Sequence, residues 1–450
     1  MEDKIAALAT PWGTSAVAVI RTSGQGSVEE MARIFSPGNR LSAAEGHTVL
    51  RGALLDGESG GVIDDVLAAV YRGPKSYTGE DSVELFVHDS LPGIERILDV
   101  LKRRGFRPAG PGEFTLRAFL NGKLDLTKAE AVNEIVTAKS GAAHSLALHR
   151  LGGSVERRIR EIKEELLRIF AEVELQLDYS EDEGEAEYRE VDLDALRSLG
   201  RQCRDLARTY ETGRLYQQGI RVALGGRTNA GKSSLFNLFL KEDRSIVSEI
   251  HGTTRDYIEA WISIGGIPVL LYDTAGLRAH RDPVESEGIR RTERILENAD
   301  IVLYLVDSTV GFLPEDTERL AALKEQGIPC LRLWNKVDLT DEVPPEGFFP
   351  VSVQTHEGFS AIEKAVVELA PGRTGYGNGE PVIDSLRQRD LLLRAADGLD
   401  LAGRSVEEEA PLDMIAVDLK DALDALGEIT GEVTSAEILK AIFSDFCVGK

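Results

Sequence analysis

Apolar residues follow three rhythms along the chain. Over the first 120 residues, short β-branched or apolar runs at 17–20, 62–71 and 83–87 alternate with Gly and Pro, which predicts a small α+β domain. From residue 155 the pattern becomes Val155, Ile159, Ile162, Leu166, Ile169 and Val173, a 4,3,4,3,4 spacing that lays one stripe along a long helix. Residues 178–194 then carry nine carboxylates against the single Arg189, a solvated loop that leads into another helical segment ending near Tyr216.

From Ile220 the pattern is strand, loop, helix: a strand at 221–224, a glycine loop, and a helix over 234–240. Residues 262–264 and 267–272 flank Gly265-Gly266, which predicts a hairpin with a tight turn. The continuous apolar runs at 301–306 and 330–333 predict strands covered on both faces by helices. Gly and Pro between 371 and 381 mark a boundary. Beyond it Leu412, Ile415, Leu419, Ala422 and Leu426 share one helical face, and Thr434 with Glu437 predicts a capping box for a last helix through Phe443. Two helical segments bracket one α/β segment, so the expected architecture is a helical domain with an α/β domain inserted into it.

Composition narrows the picture. With 52 Lys and Arg against 76 Asp and Glu, the net charge of −24 argues against polyanion binding driven by overall charge, and leaves a local basic patch open. Cys203, Cys330 and Cys447 are too far apart for a disulfide framework and lack zinc-ligand spacing, as expected of a cytoplasmic protein. The apolar start contains Pro11 and Gly13 and is too short to span a bilayer, so no membrane partner is expected.

The glycine loop carries the chemistry. Gly226-Arg-Thr-Asn-Ala-Gly231-Lys232-Ser233 fits the phosphate-binding pattern GxxxxGK[ST] between a strand and a helix. Backbone N–H groups wrap the phosphates, Lys232 reaches the β and γ oxygens, and Ser233 binds Mg²⁺. Forty-one residues after Lys232, a strand ends in Asp273-Thr274-Ala275-Gly276, where Asp273 serves Mg²⁺ through water and the Gly276 amide senses the γ-phosphate. Another strand delivers Asn335-Lys336-Val337-Asp338, whose last carboxylate matches two donors of guanine and none of adenine. Gly252-Thr253-Thr254-Arg255-Asp256 lies where a switch threonine closes over Mg²⁺. Together these elements predict a GTP site. Leu277 stands where many GTPases place a water-orienting glutamine, which leaves Asp282, Glu285 and Glu287 as candidates for that work.

Beyond these motifs the chain resembles the bacterial MnmE (TrmE) family of tRNA-modification GTPases over essentially its whole length. The resemblance rests on Ala9-Thr-Pro, residues 76–84 (SYTGEDSVE), residues 111–126 (PGEFTLRAFLNGKLDL) and residues 446–450 (FCVGK). It implies a folate-binding, dimerising α+β domain over 1–119, a helical domain from 120–216 and 377–450, and an inserted P-loop G domain, a mixed sheet with flanking helices, over 217–376. It implies a homodimer that works with a flavoprotein partner, MnmG, to add an aminomethyl or carboxymethylaminomethyl group at carbon 5 of the tRNA wobble uridine. The one-carbon unit would come from 5-formyl- or 5,10-methylene-tetrahydrofolate. Arg21, Glu84, Lys123 and Lys450 match the folate positions, and Cys447 matches a cysteine needed for modification.

In the G domain the resemblance implies that Asn229, Ser248, Ile250 and Thr253 hold K⁺ in place of an arginine finger, that Ser233 and Thr254 hold Mg²⁺, and that Glu285 is the water-orienting acid. The GTP contacts it implies are Asn229, Ala230, Gly231, Lys232, Ser233 and Ser234, then Ser248, Glu249, Ile250, His251, Gly252, Thr253 and Thr254. They continue through Asp273, Thr274, Ala275 and Gly276 to Asn335, Lys336, Asp338 and the guanine-supporting Ser352, Val353 and Gln354. Two other classes share the G elements: a ribosome-assembly G protein, for which the acidic residues 407–424 are a poor RNA-binding surface, and a GTP-gated scaffold without folate chemistry. The net charge leaves open that tRNA is held mainly by the partner.

Overall fold

The computed structural model describes residues 3–13, 15–180, 191–242, 258–274, 295–372 and 380–450. Their contacts group into two compact units, Met1–Asn133 with Gly427–Lys450, and Glu134–Leu426. These units do not correspond one to one with the three expected domains.

The first unit is built on a seven-stranded sheet of order β3-β4-β5-β6-β2-β1-β7. Its strands are β1 (Lys4–Leu8), β2 (Val17–Ser23), β3 (Phe35–Ser36), β4 (Thr48–Leu55), β5 (Val62–Tyr71), β6 (Ser82–His88) and β7 (Phe106–Pro108). All pairings are antiparallel except β1 with β7. Helix Leu91–Arg103 lays Ile94, Ile97, Val100 and Leu101 among the sheet residues Ile20, Val66, Val70, Leu85 and Val87, which form one buried cluster. Residues 427–450 belong to this unit: Phe443 and Phe446 pack on Leu126 and Ala129, with Leu116 and Phe119 at the margin. Gly112, at φ 61, caps helix Glu113–Leu120, and a Cβ there would press on Phe443 and Phe446.

The last helix is Ala436–Ser444, and the expected Thr434–Glu437 box does not cap it. Ser435 takes the extended cap conformation and its Oγ accepts from Ile438 N, while Thr434 Oγ1 is buried without a hydrogen-bond partner. The chain turns one residue later than the spacing rule implies.

In the second unit, helix Ser154–Ser180 buries Val155, Ile159, Ile162, Leu166 and Val173 on the expected stripe, with Ile169 half-buried. Asp192 opens helix Leu193–Arg208 by accepting from Ala195 N at 3.0 Å. That helix packs Leu199, Cys203 and Leu206 toward helix Leu386–Glu407, whose Ala395, Ala396, Leu399 and Ala402 are buried, and Arg204 pairs with Asp400 across them at 2.8 Å. Burial pushes the Cys203 thiol up to about 12 and the Cys330 thiol likewise, so both are inert at neutral pH. Ile415, Leu419, Ala422 and Leu426 of helix Leu412–Thr430 are buried on one face.

The α/β part of this unit is a six-stranded sheet of order β13-β12-β11-β8-β10-β9. It comprises β8 (Ile220–Gly226), β9 (Ile258–Ile264), β10 (Ile267–Asp273), β11 (Ile301–Asp307), β12 (Cys330–Asn335) and β13 (Phe348–Val351), parallel except for the edge strand β9. The hairpin β9–β10 turns at Gly265 and Gly266, both at positive φ (58 and 86), the geometry that glycine alone adopts without strain. Each central strand is apolar on both sides: Leu303 and Leu305 pack with Phe239 and Ile362 on one face, Val302 and Tyr304 with Leu323 and Trp334 on the other. The carboxyl ends of β8, β10, β11 and β12 therefore lie along one edge and carry the motif loops.

Candidate functional site

Two sites are legible, one in each unit. In the second unit β8 ends at Gly226, at φ 126, where a Cβ would strike the Leu305 carbonyl, so the chain leaves the strand only as glycine. The loop runs through Asn229, exposed and left-handed at φ 64, to the buried Ala230 and to Gly231 at φ 102. There it enters helix Lys232–Glu242, whose first N–H groups face the loop as an anion site. Lys232 is buried, and its Nζ donates to the Gly226 and Arg227 carbonyls at 2.9 and 2.7 Å. The Ser233 and Ser234 side chains are exposed at the helix start. Beside β8, Asp273 is buried at the end of β10, and Thr274 Oγ1 donates to Leu224 O at 2.6 Å, tying the two strand ends together.

The base side is assembled from β11, β12 and the turn after β13. Asn335 is buried and bridges the loops: Nδ2 donates to Ala230 O at 2.8 Å and Oδ1 accepts from Val353 N at 3.4 Å. A Cβ at Gly231 would collide with the Asn335 side chain. Ser352 Oγ donates to Asp338 Oδ1 at 2.6 Å and accepts from Thr355 N at 3.1 Å, while Gln354 is exposed. Lys336 adopts φ 68 and pairs through Nζ with Asp307 Oδ2 at 2.5 Å. The structure thus brings Asn229, Ala230, Gly231, Lys232, Asp273, Asn335, Lys336, Asp338, Ser352 and Val353 to one edge of the sheet. Ser248, Glu249, Ile250, His251, Gly252, Thr253, Thr254, Arg255, Asp256, Ala275, Gly276, Leu277, Asp282, Glu285 and Glu287 lie outside the described residues.

The first unit gathers the other set. Arg21 on β2 faces Glu84 on β6, with Nε to Oε1 at 2.7 Å. The Arg21 guanidinium lies 5.7 Å from the ring centres of Tyr77 and Phe114, and its Nη1 donates to Gly449 O at 3.0 Å. The strand-like run of 447–450 is fixed by a bridge between Pro111 and Val448, by Gly112 N to Cys447 O at 3.3 Å and by Phe114 N to Lys450 O at 3.1 Å. Burial, and then the neighbouring Arg21 charge, push the Lys450 ammonium below the ordinary lysine value. Two neighbouring half-buried cations suit an anionic ligand. Lys123 Nζ donates to Pro74 O at 2.9 Å on the loop that carries Tyr77, and Cys447 is exposed.

Sequence reasoning missed several neighbours. Behind Arg21, Ser23 Oγ donates to Glu80, and the buried Arg117 joins Glu80, Glu113 and Asp3. Burial raises the Glu113 carboxyl, but the bonds it accepts from Arg107, Gly110 N and Arg117 outweigh that and hold it below the usual carboxylate range. Glu80, Glu113, Arg117 and Phe114 all fall inside the quoted motif segments, which was the available signal. Asp307 and Ser308, by contrast, follow an ordinary apolar strand and carry no motif.

Residues 126–447 match the family model for the MnmE helical domain, and residues 4–123 match that for the GTP-binding protein TrmE N-terminus. A tRNA modification GTPase MnmE of Treponema denticola is 42% identical over 467 residues, covering 100% of this chain and 98% of its own length. Proteins of the same description from Borrelia recurrentis and Carboxydothermus hydrogenoformans are 40% and 38% identical over 461 and 463 residues, again covering 100% of this chain and 98% and 100% of their own.

Proposed function

The chain belongs to the MnmE family of tRNA modification GTPases and is a GTP-hydrolysing enzyme, and from that premise we propose the chemistry it serves. With a flavoprotein partner of the MnmG kind, it adds an aminomethyl or carboxymethylaminomethyl group at carbon 5 of the tRNA wobble uridine. The observation that carries this reading is the half-buried grouping of Arg21, Glu84 and Lys450 in the same chain as the motif loops of the second unit. A reduced folate, 5-formyl- or 5,10-methylene-tetrahydrofolate, supplies the one-carbon unit when bound there. Arg21, Lys123 and Lys450 hold its carboxylates and Glu84 accepts from its pterin donors. Cys447, exposed three residues before Lys450, takes part in the modification.

In the GTP site Lys232 exchanges its two loop carbonyls for β and γ oxygens, and Asp338 accepts from guanine. Ser233 and Thr254 hold Mg²⁺; the exposed Ser233 hydroxyl and the buried Asp273 carboxylate are the hard oxygen donors that this ion takes. Asn229, Ser248, Ile250 and Thr253 hold K⁺, which supplies positive charge at the phosphates, and the exposed Asn229 amide is a donor of the right kind. Glu285 orients the attacking water. The working form is a cytoplasmic homodimer, with tRNA held largely by the partner. Among the described residues no helix is long and apolar enough to cross a membrane.

The test is nucleoside analysis of wobble uridines from a strain lacking this gene. The expected result is loss of the carbon-5 group, restored by the wild-type chain and not by Arg21→Ala. Normal modification in the deletion strain overturns the reading.

A further inference from the structure

We propose that Asp307 is a positioning residue for guanine recognition: it anchors Lys336 in the left-handed turn that presents Asp338 to the base. Asp307 ends β11 directly beside Asn335 of β12. Its two oxygens are both committed, Oδ2 to Lys336 Nζ at 2.5 Å and Oδ1 to Thr309 N and Oγ1 at 3.0 and 2.7 Å, so the carboxylate has one orientation. Its neighbour Ser308 fastens the same turn by its backbone: Ser308 N donates to Asn335 O and Ser308 Oγ donates to Lys336 O, each at 2.9 Å. Between these tethers Lys336 sits at φ 68 and ψ 33, a conformation that a residue with a Cβ leaves unless its surroundings hold it.

Two residues further on, the turn delivers Asp338 to Ser352. Releasing Lys336 to ordinary backbone angles would swing Asp338 away from both Ser352 and the base. Burial would raise the Asp307 carboxyl, but the bonds from Lys336 and Thr309 keep it below the usual carboxylate range. The Lys336 side chain is 31% exposed and that of Asp307 14%. The Lys336 end of the pair is partly solvated and screened, which limits what the pair adds to global stability, so its effect is local and falls on the base.

The experiment uses the full chain with Asp307→Ala, Asp307→Asn and Asp307→Glu, measuring affinity for GTP and ITP by competition, GTP turnover, and thermal unfolding. ITP lacks the 2-amino donor, so the GTP-to-ITP preference reads the aim of Asp338. In Asp307→Ala, GTP affinity should fall about tenfold, KM should rise with kcat within about twofold, and the GTP-to-ITP preference should shrink several-fold. The melting temperature should stay near wild type. Asp307→Asn should lose part of the preference, and Asp307→Glu should restore part of what alanine loses. Equal weakening of GTP and ITP, or no weakening, overturns the proposal. If Asp307→Ala fails to fold, the near-isosteric Asp307→Asn decides, and an unchanged GTP-to-ITP ratio there overturns it.

Discussion

Ser352 Oγ and Asp338 Oδ1 are 2.6 Å apart, so the carboxylate assigned to guanine is oriented by a hydroxyl from the turn after the next strand. A charge-assisted bond of this kind contributes about 1.5–3 kcal/mol when made to a charged group. Ser352→Ala should therefore weaken GTP and GDP about tenfold or more without altering K⁺ dependence. Asp338→Asn should move preference from GTP to XTP, since an amide presents a donor where guanine also presents one. Competition binding with GTP, GDP and XTP checks both, and a retained GTP preference in Asp338→Asn removes Asp338 from base recognition.

Lys450 has its pKa lowered in the folded chain by burial and by Arg21. A lysine with a depressed folded value costs stability while charged, and that cost disappears as pH rises through the folded value toward the unfolded value near 10.4. Lys450→Met should leave the unliganded protein as stable or slightly more stable at pH 7, with the difference vanishing above about pH 10. It should at the same time weaken binding of a polyanionic folate. Thermal unfolding across pH, paired with tetrahydrofolate titration, separates the two effects.

Arg117 is 1% exposed and faces Asp3 at 2.8 Å, Glu80 at 3.0 Å and Glu113 at 3.1 Å. Arg117→Met removes the cation from the largely buried Glu80, while Asp3 and Glu113 keep Arg107, a loss of about 3 kcal/mol. The folded Glu113 value is depressed, so its stabilising effect is present above the unfolded value near 4.3 and is lost as pH falls through the folded one. The gap between wild type and variant should be widest at neutral pH and narrow below about pH 4. Hydrogen exchange of the β2 and β6 amides measures it.

Turnover in K⁺ and Na⁺ at matched ionic strength tests the proposed cation site. K⁺ should raise kcat far more than nucleotide affinity, because charge at the phosphates counts most in the transition state. Asn229→Ala should lose that stimulation. Glu285→Ala should lower kcat by about 10²-fold with binding nearly intact, the scale on which a positioned catalytic group acts. Equal rates in the two salts would remove the cation from the mechanism.

What the sequence made legible depended on range. The apolar run at 301–306 is readable because burial on two faces leaves no polar position, and Gly265-Gly266 because the turn itself demands positive φ. The cap at Ser435 is harder: two hydroxyl residues stand side by side, and the backbone rather than the spacing decides which one serves. Asp307 and Lys336 meet across 29 positions through the register of β11 and β12, which no local pattern encodes. Arg21 and Glu84 are each implied as folate positions by the family resemblance, but their pairing comes from the β2–β6 register.

The hydrogen bond between Arg21 and Gly449 joins positions 428 apart. The sheet that carries Arg21 and Glu84 takes all seven of its strands from residues up to Pro108. Beside it, the Arg21 guanidinium is met by backbone from the far segment around Gly449. A local sheet and a segment distant in sequence thus have to meet before Arg21 acquires its full set of partners.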